Sequence, residues 1–248
     1  LTASEHSNPT WSRDVIDAAR VISAPFAAGL ELIHRVIEDD GALPAAIKAL
    51  FAAAAAANRG REQLMRTELA RAAAAGISRA EADGAGVALL LARGEATFAA
   101  FAAAAAATFG DELRDGSGEP RIEVSAGGSA ESDASAELAL EYFREHFGGE
   151  VPLRQRVMAD IAPLAFQGYH LMHRAALKQN ALSQRDVELL MCAINASDYS
   201  AAFLEIHVAG ARAVGASEPQ IAEAVVCAIP AGGIAVWPGA AEAIIRTR

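Results

Sequence analysis

Cysteine is almost missing from this chain: Cys192 and Cys227 are the only thiols in 248 residues. Two cysteines make no disulfide framework, and such usage fits a reducing cytoplasm. Aromatic residues are scarce as well, at 6% against 53% hydrophobic residues overall, with alanine making up much of the rest. No apolar stretch is both long and bulky enough to predict a membrane span. No secretory leader is visible. Positive charge is short too: the formal net charge is −10, which argues against a nucleic-acid partner. Only one short run, RIEV at residues 121–124, reads as a strand, and nothing else in the chain offers it a sheet. These absences leave an all-α fold as the expectation.

What is present reads as helix after helix. The alanine runs at residues 52–57 and 102–107 look low in complexity. Alanine is the best helix former, so they predict small faces where helices approach closely. After a polar start at residues 1–10, the spacing predicts a helix from Ser12, with Asp14 and Asp17 favouring its N-terminal dipole. A second runs from Pro25 to Ile37, and a third starts at Pro44. A fourth runs from Arg61 to Ala75 and stops at Gly76. Ser78 and Glu81 form a capping box for a fifth, ending at Gly94, and a sixth reaches Phe109.

Composition then changes. Residues 110–134 are rich in Gly, Ser, Asp and Glu and read as a flexible linker, with helices resuming near Ala136. The two sides of this linker are related by one ungapped offset of 139 residues. It lays Gly29 on Gly168, His34 on His173, Arg35 on Arg174, Gly76 on Gly215, Ser78 on Ser217 and Gly94 on Gly233. The chain therefore reads as an internal duplication: a first helical copy at 11–109, the linker at 110–134, and a second copy at 135–248. Under the same offset Glu188 faces Ala49 and His207 faces Glu68, so the first copy lacks that pair.

The second copy carries the densest chemistry. Glu188 stands in the apolar run of Val187, Leu189, Leu190, Met191 and Ile194; Ser200, Phe203 and His207 follow. The last three sit at i, i+3 and i+7 on one face of a single helix. Gly215 ends that helix, and Ser217 with Gln220 opens the next as a capping box. The spacing resembles the carboxymuconolactone decarboxylase / alkylhydroperoxidase D family. Redox members of that family carry Glu, Cys-x-x-Cys and His at these intervals. Here the carboxylate and imidazole remain, as Glu188 and His207, and Ser200 and Phe203 stand where the two thiols would be.

The resemblance implies a duplicated alkylhydroperoxidase D-like helical fold and a cyclic homo-oligomer, as a trimer or dimer of two-copy chains. It implies a cofactor-free acid–base enzyme like the decarboxylase branch, acting on a small carboxylated or lactone metabolite. His207 would move a proton and Glu188 would orient or relay. Two other classes stand beside it: an alkylhydroperoxidase or peroxiredoxin-like oxidoreductase, and a non-catalytic small-molecule-binding member. The oxidoreductase chemistry needs a thiolate and a resolving thiol, and neither motif position holds one.

Other residues read as follows. Ser200 is a nucleophile or a hydrogen-bonding pocket wall, and Phe203 lines the pocket or the core. Ser197 or Asp198 caps the helix that carries His207, and Tyr199 can point into the pocket. Cys192, one turn after Glu188, adds a small buried wall, and a carboxylate beside it makes its thiol less acidic. His170 and His173, at i and i+3, have a spacing that can ligate metal, but His173 recurs as His34, which favours a structural role. Arg174 or Arg212 offers a guanidinium for a substrate carboxylate. Trp237 is expected to bury at an interface between copies or subunits.

Overall fold

The computed structural model describes residues 11–110 and 129–248. The polar start and most of the presumed linker, with its RIEV run, lie outside the described residues. Among the described residues there is no strand. Before residue 111 come α1 (Trp11–Ile22), α2 (Ala24–Glu38), α3 (Ala45–Asn58), α4 (Glu62–Ala74), α5 (Arg79–Arg93) and α6 (Glu95–Phe109). Then follow α7 (Ser129–His146), α8 (Leu153–Ile161), α9 (Pro163–Leu177), α10 (Gln184–Ser197), α11 (Ala201–Ala213), α12 (Glu218–Val226), α13 (Ile229–Gly232) and α14 (Val236–Arg246). Helix α7 begins at Ser129, inside the stretch read as linker and ahead of the expected start near Ala136. Loss of apolar pattern did not mark its N-terminus, because Ser, Ala, Glu and Asp can all open a helix.

Local chemistry sets most helix ends. Ser78 and Glu81 close a reciprocal capping box on α5, and Ser217 with Gln220 does the same on α12. Each satisfies two backbone N–H groups that have no partner inside the helix. Gly76 and Gly215, with φ 96° and 87°, hold the left-handed conformation after α4 and α11. A side chain there would meet backbone strain.

The 139-residue offset carries over to these elements. Helices α2, α3 and α4 begin and end at the equivalents of the ends of α9, α10 and α11, and α5 spans the equivalents of α12 plus α13. Gly94 and Gly233 match in conformation, with φ 80° and 77°.

The chain forms two compact units: residues 1–111 with 180–248, and residues 112–179. The division falls between α9 and α10, inside the second sequence copy. At the centre of the first unit α3 and α10 pack against each other, with α4 and α5 on α3 and with α11 and α12 on α10. Helix α3 is buried without a break from Lys48 to Ala57, and α10 from Val187 to Ser197. A helix covered on all sides carries no polar stripe, which explains the alanine run at 52–57: small side chains let neighbouring helices approach. Leu50, Phe51, Leu189, Leu190 and Ile194 are fully buried around it, each contributing about 1.5–3 kcal/mol.

Copy one and copy two clasp one another through their loops. Glu223 of α12 accepts the Ala42 N–H at 2.8 Å and the Leu43 N–H at 2.9 Å. In return Asn180 donates to the Gly84 carbonyl of α5 at 3.0 Å. Gly41 and Gly84 allow this close approach: a Cβ on Gly41 would stand 2.4 Å from Glu223 Oε1, and one on Gly84 2.2 Å from Asn180 Oδ1. Under the offset Gly41 is the equivalent of Asn180 and Gly84 of Glu223. The two contacts are the same contact with the large and small residues exchanged.

The second unit is made by α7, α8 and α9. Phe143, Phe166, Ala139 and Val151 are buried together, with Tyr142, Phe147 and Tyr169 packed against them. Much of the chain's small aromatic content gathers here. Phe143 lies 5.0 Å from Tyr169 and 5.4 Å from Phe166, ring centre to ring centre.

Candidate functional site

Helix α10 supplies Glu188 from a fully buried stretch, and α11 supplies His207 from the middle of its own length. The two helices pack side by side, and the side chains meet: His207 Nδ1 lies 2.8 Å from Glu188 Oε2. Glu188 is 4% exposed and His207 is 8% exposed. An ionised carboxylate only accepts, so with Glu188 ionised the shared proton would sit on Nδ1 and Nε2 would be left for other work. At that distance in a low-dielectric setting the bond also offsets the cost of burying the carboxylate.

Gly210, one turn after His207 on α11, backs the carboxylate. A Cβ there would stand 2.7 Å from Glu188 Oε2 and 2.8 Å from its Cδ. The lack of a side chain at Gly210 is what makes room for the Glu188 headgroup.

The other expected residues are placed differently from one another. Ser200 occupies the N-cap position of α11, partly buried, without a side-chain cap bond. The expected caps do not cap α11. Ser197 ends α10 and its hydroxyl donates to the Ile194 carbonyl at 2.8 Å, while Asp198 is the C-cap of α10. The reason is the junction itself: Tyr199 takes φ 56°, which moves the start of α11 beyond both residues. Phe203 is 55% exposed and Tyr199 48% exposed, so neither is core. The Tyr199 hydroxyl donates to the Gly232 carbonyl.

Cys192 is fully buried beside Glu188, with no surface open to a ligand. Burial pushes its thiol well above the ordinary range, and the Glu188 charge adds to this. Burial likewise pushes the Cys227 thiol up to about 12. Both cysteines are free. Arg212 is already committed: it bonds Glu218 twice, Thr247 and the Ile244 carbonyl. Trp237 is partly exposed on α14.

His173 lies buried in the second unit, with Nδ1 2.8 Å from the Tyr142 hydroxyl. Its sequence equivalent His34 stands 3.3 Å from Glu38. His170 has its pKa lowered by partial burial and by Arg174. Among the described residues no group of three or more His, Cys, Asp and Glu is arranged to hold a metal ion. The second unit also has a cleft of about 540 Å³ between Leu140, Arg144, Val151, Arg156 and Asp160. None of the residues expected from sequence lines it.

Sequence reasoning missed a second buried charged group, in copy one. Glu68, the equivalent of His207, is buried and bonds Arg71 Nε at 2.9 Å. Burial raises the Glu68 pKa against the opposing pull of Arg71. Arg71 is the equivalent of Gly210, and Ala49 of Glu188. In copy two the long side chain comes from α10 and the small residue from α11; in copy one the roles are reversed. Lys48 is 1% exposed, donates to the carbonyls of Val36 and Asp39 at 2.6 Å each, and lies 3.4 Å from Glu223. The available signal was a lysine inside an otherwise apolar, alanine-rich helix, which has to find carbonyls or a carboxylate if it is buried.

Residues 163–246, the stretch from α9 through α14, match the model of the Carboxymuconolactone decarboxylase family. The matched stretch holds both Glu188 and His207. No curated protein matches the chain.

Proposed function

We propose, from a chain whose residues 163–246 match the Carboxymuconolactone decarboxylase family, that it is a cofactor-free acid–base enzyme acting on a small carboxylated or lactone metabolite. The observation that carries this reading is the buried 2.8 Å contact between His207 Nδ1 and Glu188 Oε2. Glu188 fixes the ring and its tautomer, and His207 Nε2 is the atom that takes or gives a proton. Loss of CO2 from a carboxylated lactone leaves an electron pair that a positioned acid must protonate. A His held by a carboxylate can supply that proton and be reprotonated from solvent.

Two buried, unjoined thiols with raised pKa values disfavour the oxidoreductase reading. A peroxide-reducing cycle starts from an accessible thiolate. No observation favours the binding-only reading over the acid–base one.

The protein works as a homo-oligomer. Support comes from apolar side chains left in water on several helices: Val21, Ile22, Phe26 and Leu32 on α1 and α2, and Ile161 and Leu164 on α8 and α9. Clustered exposure of this kind marks interaction surfaces. Among the described residues no helix is long and apolar enough to cross a membrane.

The test is CO2 release from carboxymuconolactone and related lactone acids. Acid–base catalysis by a placed side chain is worth about 10²–10⁴-fold, so His207→Ala should lose turnover by that factor and Glu188→Gln by a smaller one. Undiminished turnover in a folded His207→Ala protein would sink the reading.

A further inference from the structure

Apart from the Glu188–His207 pair, two arginines of copy one carry bonding capacity that nothing meets. Arg59 is the C-cap of α3, and Arg93 is the last residue of α5. Both reach the junction between α10 and α11. Arg93 Nη2 donates to Asn195 Oδ1 at 2.9 Å, and Nη1 lies 3.3 Å from Asp198 Oδ2. Arg59 Nη1 lies 3.9 Å from the other Asp198 oxygen, and its guanidinium stands over the Tyr199 ring, 5.3 Å from the centroid.

Two cations therefore share one carboxylate, and loosely. Charge-assisted N–H···O bonds settle at about 2.7–2.9 Å, shorter than either contact. The Nε atoms of Arg59 and Arg93 are both buried with no hydrogen-bond partner. Burial lowers the Arg93 pKa, and the Asp198 charge opposes that fall. Asp198 itself is 43% exposed on its side chain, so it can turn out to water and leave both guanidiniums without a carboxylate. A guanidinium fork matches a carboxylate in shape as well as charge.

The junction beside them is held in an uncommon conformation. Tyr199 is the one non-glycine residue with positive φ among those described. Its hydroxyl is tied to Gly232 and its ring to Arg59. Strained positions persist where their surroundings fix them, and they concentrate at ligand clamps and active sites. Here the strain goes with an aromatic face turned toward Arg59 on a residue that is 48% exposed.

We propose that Arg59 and Arg93 form a recognition site for a small organic carboxylate with an unsaturated or aromatic body. The carboxylate takes the place of Asp198 between the guanidiniums, and the body lies on Tyr199. Copy one supplies the charge and copy two supplies the platform, so the site exists only because the copies are packed together. It does not depend on catalysis at His207.

Benzoate is the probe, titrated into the full chain and followed by ligand-observed NMR. Saturable binding is expected for the native protein. Arg59→Gln weakens it at least tenfold, Asp198→Asn tightens it several-fold by removing the competing carboxylate, and His207→Ala leaves it unchanged. Arg59 is chosen because Arg93 also holds Asn195. The proposal fails if neither the native protein nor Asp198→Asn binds benzoate, if Arg59→Gln binds as well as native, or if His207→Ala abolishes binding. Inorganic phosphate binding as tightly as benzoate would also overturn it, because the platform would then contribute nothing.

Discussion

Asn58 Nδ2 donates to Ser197 Oγ at 2.8 Å, and the two residues are 139 apart, so each is bonded to its own equivalent under the sequence offset. Arg59 and Asp198, the next pair along, face each other in the same way at 3.9 Å. A residue touches its own equivalent only where a two-fold axis passes, as at the centre of a symmetric dimer interface. The C-terminal ends of α3 and α10 mark that place. The two equivalent positions differ in charge: Arg59 meets Asp198, where two arginines or two aspartates would repel.

Replacing Gly210 with alanine tests how Glu188 is held. The added Cβ would fall 2.7 Å from Glu188 Oε2. The carboxylate is the end of a flexible side chain, so the helix tolerates the change and the headgroup moves. Alanine is worth about 0.8–1 kcal/mol over glycine inside a helix, which offsets part of the disturbance. The expected outcome is a melting temperature close to native, turnover down by tenfold or more, and a shifted His207 ring resonance. Native turnover with an unmoved ring signal would show that Gly210 does not position Glu188.

Glu223 should matter for stability out of proportion to its exposure. It clamps the Ala42 and Leu43 N–H groups and lies 3.4 Å from buried Lys48. Breaking a buried pair by deleting one partner costs about 3–5 kcal/mol. Glu223 is partly exposed, so the lower end applies. Urea unfolding of Glu223→Ala should show a loss of about 3 kcal/mol, and Glu223→Gln a smaller one because an amide oxygen still accepts a backbone N–H. Equal, near-zero losses for both would mean that the clamp contributes nothing.

The pH dependence of stability should carry the mark of Glu68. Burial raises its pKa above 4.5, with Arg71 opposing. A carboxyl group with a raised folded pKa holds its proton more tightly folded than unfolded. Its contribution therefore favours folding below about pH 4.5 and declines as pH rises from there through the folded value. Glu68→Gln cannot ionise. Its stability relative to native should accordingly improve as pH is raised through that window, in urea melts at matched salt. A difference that is flat with pH, or that runs the other way, would contradict the raised pKa.

Thiol chemistry gives a separate check. With Cys227 at about 12 and Cys192 raised by burial, both thiols should resist a disulfide reagent at pH 8 in the native protein. A thiol of pKa 12 is ionised about once in 10⁴ molecules at that pH. Unfolding in guanidinium should release two reactive thiols. Cys192→Ala/Cys227→Ala should keep any lactone-acid turnover. Fast dithiol-driven peroxide reduction, lost in that double variant, would put the oxidoreductase reading first.

The sequence by itself determined the helical class and several helix ends. Capping boxes at Ser78 and Ser217 and the glycines after α4 and α11 act on backbone groups a few residues away, so their effects can be read in a short window. The meeting of Glu188 and His207 was also legible, because both sit on adjacent helices at a spacing that resembles the family's. The start of α11 was not: the positive φ of Tyr199 depends on Gly232 and Arg59, which are distant in sequence.

Only the tertiary structure decided what lies between the copies. Nothing local in Arg59 or Arg93 says that they converge on Asp198. Nothing around Lys48 names Glu223, and nothing in Gly210 reveals a carboxylate packed against it. Hydrogen bonds within a helix join residues four apart, whereas burial and charge pairing depend on which helices pack together. In this protein those partners stand from about twenty to well over a hundred residues away.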